Sequence, residues 1–146
     1  MSIRHAFGKA GIVRPGAIRW GGIYAMRDDL IVFPEDRLPG ARKTPHEYRS
    51  VLVLQCQTDC DDPNLRTVLI APLSTKKRIR ERFDYELAAG TGNLRSDTLV
   101  KLAMVQPVLK VDLEPFRIVG DLPMETMRDI VTVLLANVGG ILRPAT

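Results

Sequence analysis

Tyr48-Arg49-Ser50-Val51-Leu52-Val53-Leu54-Gln55 and, after a polar loop, Thr67-Val68-Leu69-Ile70-Ala71-Pro72-Leu73-Ser74-Thr75-Lys76-Lys77 decide how this chain is read. Both stretches are short, nearly continuous apolar runs that read as buried-type strands. The linker between them is rich in Asp, Asn and Pro. If the two strands are antiparallel neighbours, the start of one lies beside the end of the other. Arg49 would then meet Ser74 and Thr75 at one edge of the sheet. A guanidinium beside hydroxyl groups is a minimal kit for handling a phosphate.

Outward from this pair, the remaining segments read as a small β-rich unit. Ile18 to Tyr24 is expected to form the first strand, with Gly21-Gly22 as a bulge or bend. Residues 28–45 form an excursion with a short apolar run, Leu30-Ile31-Val32-Phe33, followed by Pro34, Pro39, Gly40 and Pro45. Its length makes it a candidate lid or specificity loop. Phe83–Leu87 alternates like an edge strand, and residues 89–93 are a turn. Thr98–Val105 reads as a strand ended by Pro107, with Val108–Val111 as a short continuation and Leu113–Ile118 as a connection. A helix is predicted after Pro123, with Asp121 and Glu125 near its start. Met124, Met127, Ile130, Val131, Leu134, Leu135 and Val138 form its apolar stripe, read as core or dimer seam, and Gly139-Gly140 end it. The expected fold class is mainly β with α (α+β), a small, strongly bent, barrel-like sheet with one packed helix.

The chain has 146 residues, enough for one domain, with 45% hydrophobic and 26% charged residues. Residues 1–11 read as a flexible basic arm and 12–142 as the single domain. No apolar run approaches the roughly 20 residues that cross a bilayer. The first residues lack the apolar core of a secretion signal, so the expected location is cytoplasmic, with no membrane partner. Cys56 and Cys60 lack further Cys or flanking His at zinc-finger spacing. They are expected to be free thiols, and neither a metal site nor a cofactor is called for. The net charge is +4 and the pI about 9.3, which suits a polyanionic partner. No acidic residue precedes Asp28, whereas Arg4, Lys9, Arg14 and Arg19 do. Lys76, Lys77, Arg78 and Arg80 follow the hydroxyl pair closely and are candidate phosphate contacts. Lys101 is a candidate groove-lining cation. Trp20 and Tyr24 are possible base-stacking rings, Trp20 being read first as core.

Five stretches in this order resemble the MazF/PemK family of toxins from bacterial toxin–antitoxin pairs. Arg14-Pro15-Gly16-Ala17-Ile18-Arg19-Trp20 is similar to the family's opening "RPGDIxW". Arg49-Ser50-Val51-Leu52-Val53-Leu54 is similar to "RPVLVL", and Val68–Thr75 to "VxVAPLTS". Leu94–Leu102 is similar to "LxxDSxVxL", and Val119-Gly120-Asp121-Leu122-Pro123 to "IGxLSPExM". The resemblance spans roughly residues 12–138. It implies an SH3-like β-barrel with a C-terminal helix, forming a homodimer. It also implies a cytoplasmic endoribonuclease that cuts single-stranded RNA without metal, leaving a 2′,3′-cyclic phosphate, and that is blocked by an antitoxin protein. In the family the segment matching 28–45 covers the active site and the partner groove.

By that resemblance Arg49 is the catalytic arginine, Ser74 the catalytic hydroxyl and Thr75 the hydroxyl following it. Three departures stand out. Ser50 replaces the proline after the arginine. Where some members carry an acid and then an arginine, this chain has Ala103 and Gln106. Gln106 is kept as a candidate RNA contact, and His46 as a substitute base with a pKa near neutrality; Glu47 is a weaker candidate. Two alternatives are a catalytically degenerate member that only binds RNA or protein, and a CcdB-like gyrase poison. The second is disfavoured because residues 140–146 lack the Trp-Gly-Ile ending that activity requires.

Overall fold

The computed structural model describes residues 14–40, 46–75, 80–113 and 117–140. The basic arm at residues 1–11 lies outside them. Among the described residues seven strands form one antiparallel sheet: β1 (Gly22–Arg27), β2 (Tyr48–Val53), β3 (Thr67–Ser74), β4 (Tyr85–Leu87), β5 (Thr98–Val100), β6 (Gln106–Leu109) and β7 (Ile118–Asp121). They run in the order β4-β5-β3-β2-β1-β7, and β6 pairs with β3 off that path. A short helix α1 (Gln57–Asp61) lies between β2 and β3, and α2 (Met124–Asn137) follows β7. The architecture is a mainly β half-barrel with a C-terminal helix, as the sequence reading expects.

Alternation along the central strands explains why their apolar runs are continuous. Tyr24, Met26, Val51, Val53, Val68 and Ile70 point into one core, with Ile18 and Val108. Ile23, Leu52, Ala71 and Leu73 point into the other, against Met127 and Ile130 of α2. A strand covered on both faces needs apolar residues at every position, not every second one.

Several elements differ from the sequence reading. The first strand begins at Gly22 instead of Ile18. The backbone N–H of Arg19 donates to Tyr24 Oη at 3.0 Å, and Tyr24 Oη–H donates to the Ala17 carbonyl at 3.1 Å. Gly21 takes φ +81°. Ile18 is thereby buried in a loop wrapped over the Tyr24 ring. The strand expected over 98–105 stops at Val100, and Leu102–Met104 form a 3-10 turn. Pro107 does not end a strand; it sits inside β6 opposite Leu69. Among the described residues β6 pairs with β3 alone, so its other edge needs no donor there. The helix α1 lies in the polar loop read between the two central strands, and β7 begins at Ile118, the last residue of the stretch read as a connection. Lys110, buried beside β6, holds α1 in place by donating to the carbonyls of Asp59 and Asp62 at 2.7 and 2.9 Å. It lends a cation to the negative end of that helix. Of the expected α2 stripe, Met127 and Ile130 are buried, while Met124, Leu135 and Val138 are exposed.

The 91–93 turn packs so tightly on β7 that a Cβ at Gly120 would overlap the carbonyl of Gly92. Gly120→Ala is therefore expected to cost about 1–3 kcal/mol of stability, read from denaturant midpoints. A midpoint equal to that of the parent protein would show the turn to be soft. Cys60 is buried and free, with its thiol 3.4 Å from the Gln55 carbonyl, and burial pushes its pKa up to about 11. Cys56 is exposed. An alkylating reagent at pH 8 should modify Cys56 alone until the protein unfolds, as mass spectrometry of the intact chain can show. The thiol's contribution to stability is complete below its unfolded value of 9.0 and is lost as pH rises towards about 11.

Candidate functional site

The β2–β3 ladder pairs Val51 with Pro72 and Leu52 with Ala71. Continued towards the sheet edge, that register sets Arg49 opposite Ser74. On the far side of β3, Ser74 faces Leu99 of β5. A cavity of about 250 Å³ opens at this edge. His46, Arg49, Ser74 and Thr75 all line it, together with Tyr48, Ser50 and Leu73 of the same strands. Leu94, Ser96 and Thr98 complete the lining. Four residues singled out from the sequence for chemistry therefore share one pocket.

Arg49 is held on three sides. Its Nε donates to Asp28 Oδ1 at 2.7 Å, and its Nη1 donates to the Leu73 carbonyl at 3.0 Å. The guanidinium carbon lies 4.9 Å from the centroid of the Phe33 ring. Asp28 is almost fully buried, with its side chain 2% exposed, whereas that of Arg49 is 18% exposed. The carboxylate thus sits behind the arginine and the pocket in front of it. The planar fork is used on its Nε side and on Nη1, which sets the direction of the fork in its plane, while the Phe33 ring restrains its tilt. Among the described residues Nη2 has no hydrogen-bond partner. A tetrahedral anion in the pocket would meet a cation whose direction is already set.

Asp28 was not among the residues picked from the sequence. The signal was present in weak form: an acid directly after β1, and β1 pairing Met26 with Arg49. The carboxylate lies two residues beyond that pairing. Its backbone N–H donates to the Glu47 carbonyl at 3.1 Å, which brings the side chain back to the arginine.

The other candidates lie elsewhere. Lys101 was expected on a groove but is buried: its Nζ lies 2.8 Å from Asp84 Oδ2 and 3.3 Å from Glu81 Oε1. An ammonium leaving water needs such counter-charges, which keep it in the interior. Gln106 also departs from the expected RNA contact. Its Oε1 accepts from the Val32 N–H at 2.9 Å, and its Nε2 donates to the carbonyls of Val32 and Met104 at 3.0 and 3.1 Å. Arg80 is exposed and paired with Glu86 at 3.2 Å. Lys76, Lys77 and Arg78 lie outside the described residues. Tyr24 is fully buried, so it offers no stacking surface, and Trp20 packs on the second core. Tyr48, by contrast, lines the pocket and carries the Arg117 guanidinium over its ring at 3.9 Å. Among the described residues no three of His, Cys, Asp or Glu converge as metal donors would. None of the helices there is long and apolar enough to cross a membrane.

The chain resembles a mycobacterial endoribonuclease solved in complex with its cognate antitoxin, at 15% identity and a TM-score of 0.58 over 88% of this chain and 99% of the other. It resembles Mycobacterium tuberculosis toxin MazF-mt6 at 19% identity and a TM-score of 0.59, over 81% and 96% of the two chains. A chain of a MazE–MazF crystal structure from Deinococcus radiodurans is similar at 13% identity and a TM-score of 0.56, over 84% and 95%. At these identities the likeness shows the shared fold. No curated protein is similar to the chain by sequence. The model of the PemK-like, MazF-like toxins of type II toxin–antitoxin systems matches residues 36–138, most of the chain and every strand from β2 onward, and the protein belongs to that family.

Proposed function

We propose that this toxin is an endoribonuclease that cuts single-stranded RNA at the β2–β3 edge. The observation that carries the reading is the meeting of Arg49, Ser74, Thr75 and His46 on one pocket. Cleavage by an internal nucleophile needs three things there. A base takes the proton of a ribose 2′-OH, donors receive charge on the non-bridging oxygens, and an acid protonates the departing 5′ oxygen. The 2′ oxygen forms a bond to phosphorus as the bond to the 5′ oxygen breaks. The products are a 2′,3′-cyclic phosphate and a free 5′-OH.

Arg49 is suited to the charge. Its fixed plane presents donors towards the pocket, and a guanidinium is a poor proton source but a permanent cation. The Ser74 and Thr75 hydroxyls supply neutral donors beside it. His46 brings an imidazole to the pocket, a side chain suited to general acid–base catalysis. Ala103, where some family members carry an acid, is exposed in the turn before β6 and has no proton to exchange. The reaction is proposed to run on these side chains without metal. The toxin would act as a homodimer, with the exposed Met124, Leu135 and Val138 of α2 as part of its seam. It would be neutralised by an antitoxin segment entering the RNA groove.

Purified protein incubated with a long RNA in EDTA should cut at defined short sites, leaving 5′-OH ends. Ser74→Ala should slow this by roughly 10²–10³, and Arg49→Lys, which keeps the charge but loses the planar fork, should also be strongly impaired. RNA left intact by folded protein would remove the ribonuclease reading and leave a binding-only member. Normal cleavage by Ser74→Ala would remove that residue from the chemistry.

A further inference from the structure

Gln106 spends both of its amide donors and one lone pair of its carbonyl oxygen inside the protein. Its carbonyl oxygen accepts from Val32, and its amide nitrogen donates to the carbonyls of Val32 and Met104. The Gln106 side chain thus reads both main-chain groups of Val32, as a neighbouring strand would. Val32 is itself exposed, so no burial of its side chain holds that point of the chain. The next residue is Phe33, whose ring packs beneath the Arg49 guanidinium and against the first core. Asp28, on the other side of the arginine, is tied to β2 independently through its backbone bond to Glu47.

We infer that Gln106 is a positioning residue for Arg49: by locking the backbone of Val32 it holds the Phe33 ring as one wall of the arginine's cage. The consequence for rate rests on the ribonuclease reading; the chain of contacts from Gln106 through Val32 and Phe33 to Arg49 does not. Asp28 and the Leu73 carbonyl hold the Nε and Nη1 donors of the guanidinium, and Phe33 restrains its face. Loss of either wall leaves the cation in place but lets its plane tilt. Small misplacement of a group that must meet a transition state is costly in rate while leaving ground-state binding largely intact.

Gln106→Met keeps the length of the side chain and deletes its hydrogen bonds. In protein labelled with nitrogen-15, the Arg49 Nε–H signal is assigned by its loss in Arg49→Lys. Phe33→Leu then measures how far the aromatic ring displaces that signal. Gln106→Met should move the signal in the same direction, and should speed exchange of the Val32 amide by roughly tenfold or more. The Arg19 Nε–H, which donates to Asp121 on the surface, should stay where it is. An unmoved Arg49 signal in folded Gln106→Met would overturn the inference. In cleavage assays each single variant should lower kcat several-fold with little change in KM, and the double variant should be no slower than Phe33→Leu alone. Multiplying effects in the double variant would mean that Gln106 does not act through Phe33, and would also overturn it. If the parent protein cuts no RNA, the ribonuclease reading fails while the spectroscopic arm still decides the contact chain.

Discussion

The antiparallel pairing of β2 with β3, buried on both faces, is the constraint from which the site follows. Val51, Leu52 and Val53 face Pro72, Ala71 and Ile70 across the ladder. Their side chains alternate between two cores. A slip of one residue would exchange the two sets and bring each strand's residues against the wrong core. Register is therefore pinned from both sides, and a pinned register sets Arg49 against Ser74. Polar residues begin where double burial ends, at Ser50 and Arg49 on one strand and at Ser74 on the other. The pocket is the point at which the buried ladder runs out.

Charge placement gives the site its second property. A high pI invites the view that the cations form a surface for RNA, yet the buried ones have internal duties. Lys101 is bound by Asp84 and Glu81, and Lys110 by two carbonyls of the α1 region. Arg49 is different because its counter-ion lies behind it and a cavity lies ahead. A buried pair of this kind contributes little to net stability, since desolvation offsets most of the attraction. Its value is orientation. Asp28, the Leu73 carbonyl and Phe33 restrict a long side chain to one plane before any ligand arrives, so less ordering is needed when one binds.

The segment after β1 connects these two properties. It was legible as an excursion with an apolar centre, and Ile31 is indeed buried there. Its role could not be read locally, because Asp28 and Phe33 reach Arg49 across the sheet and Gln106 reaches Val32 from a strand 74 residues away. The same limit explains the misplaced elements. Pro107 is a strand breaker only where both edges of a strand are paired, and pairing is decided by neighbours. The loop at Ile18 depends on the Tyr24 hydroxyl, whose partners no periodicity reports. The α1 helix has five residues, too few for a helical stripe to show.

What the chain carries locally is the set of doubly apolar strands, the turn at residues 89–93, the terminal helix after Pro123 and the chemical types gathered at Arg49, Ser74, Thr75 and His46. These are readable because burial and backbone preference act on neighbouring residues, and an antiparallel ladder converts their order into adjacency. Folding in three dimensions decided which cations face a cavity and which are consumed in the interior. It also recruited Asp28 to Arg49 and turned Gln106 from an apparent surface contact into a brace for residue 32. Those outcomes depend on long-range approach and on desolvation, which act between residues that the linear order keeps apart.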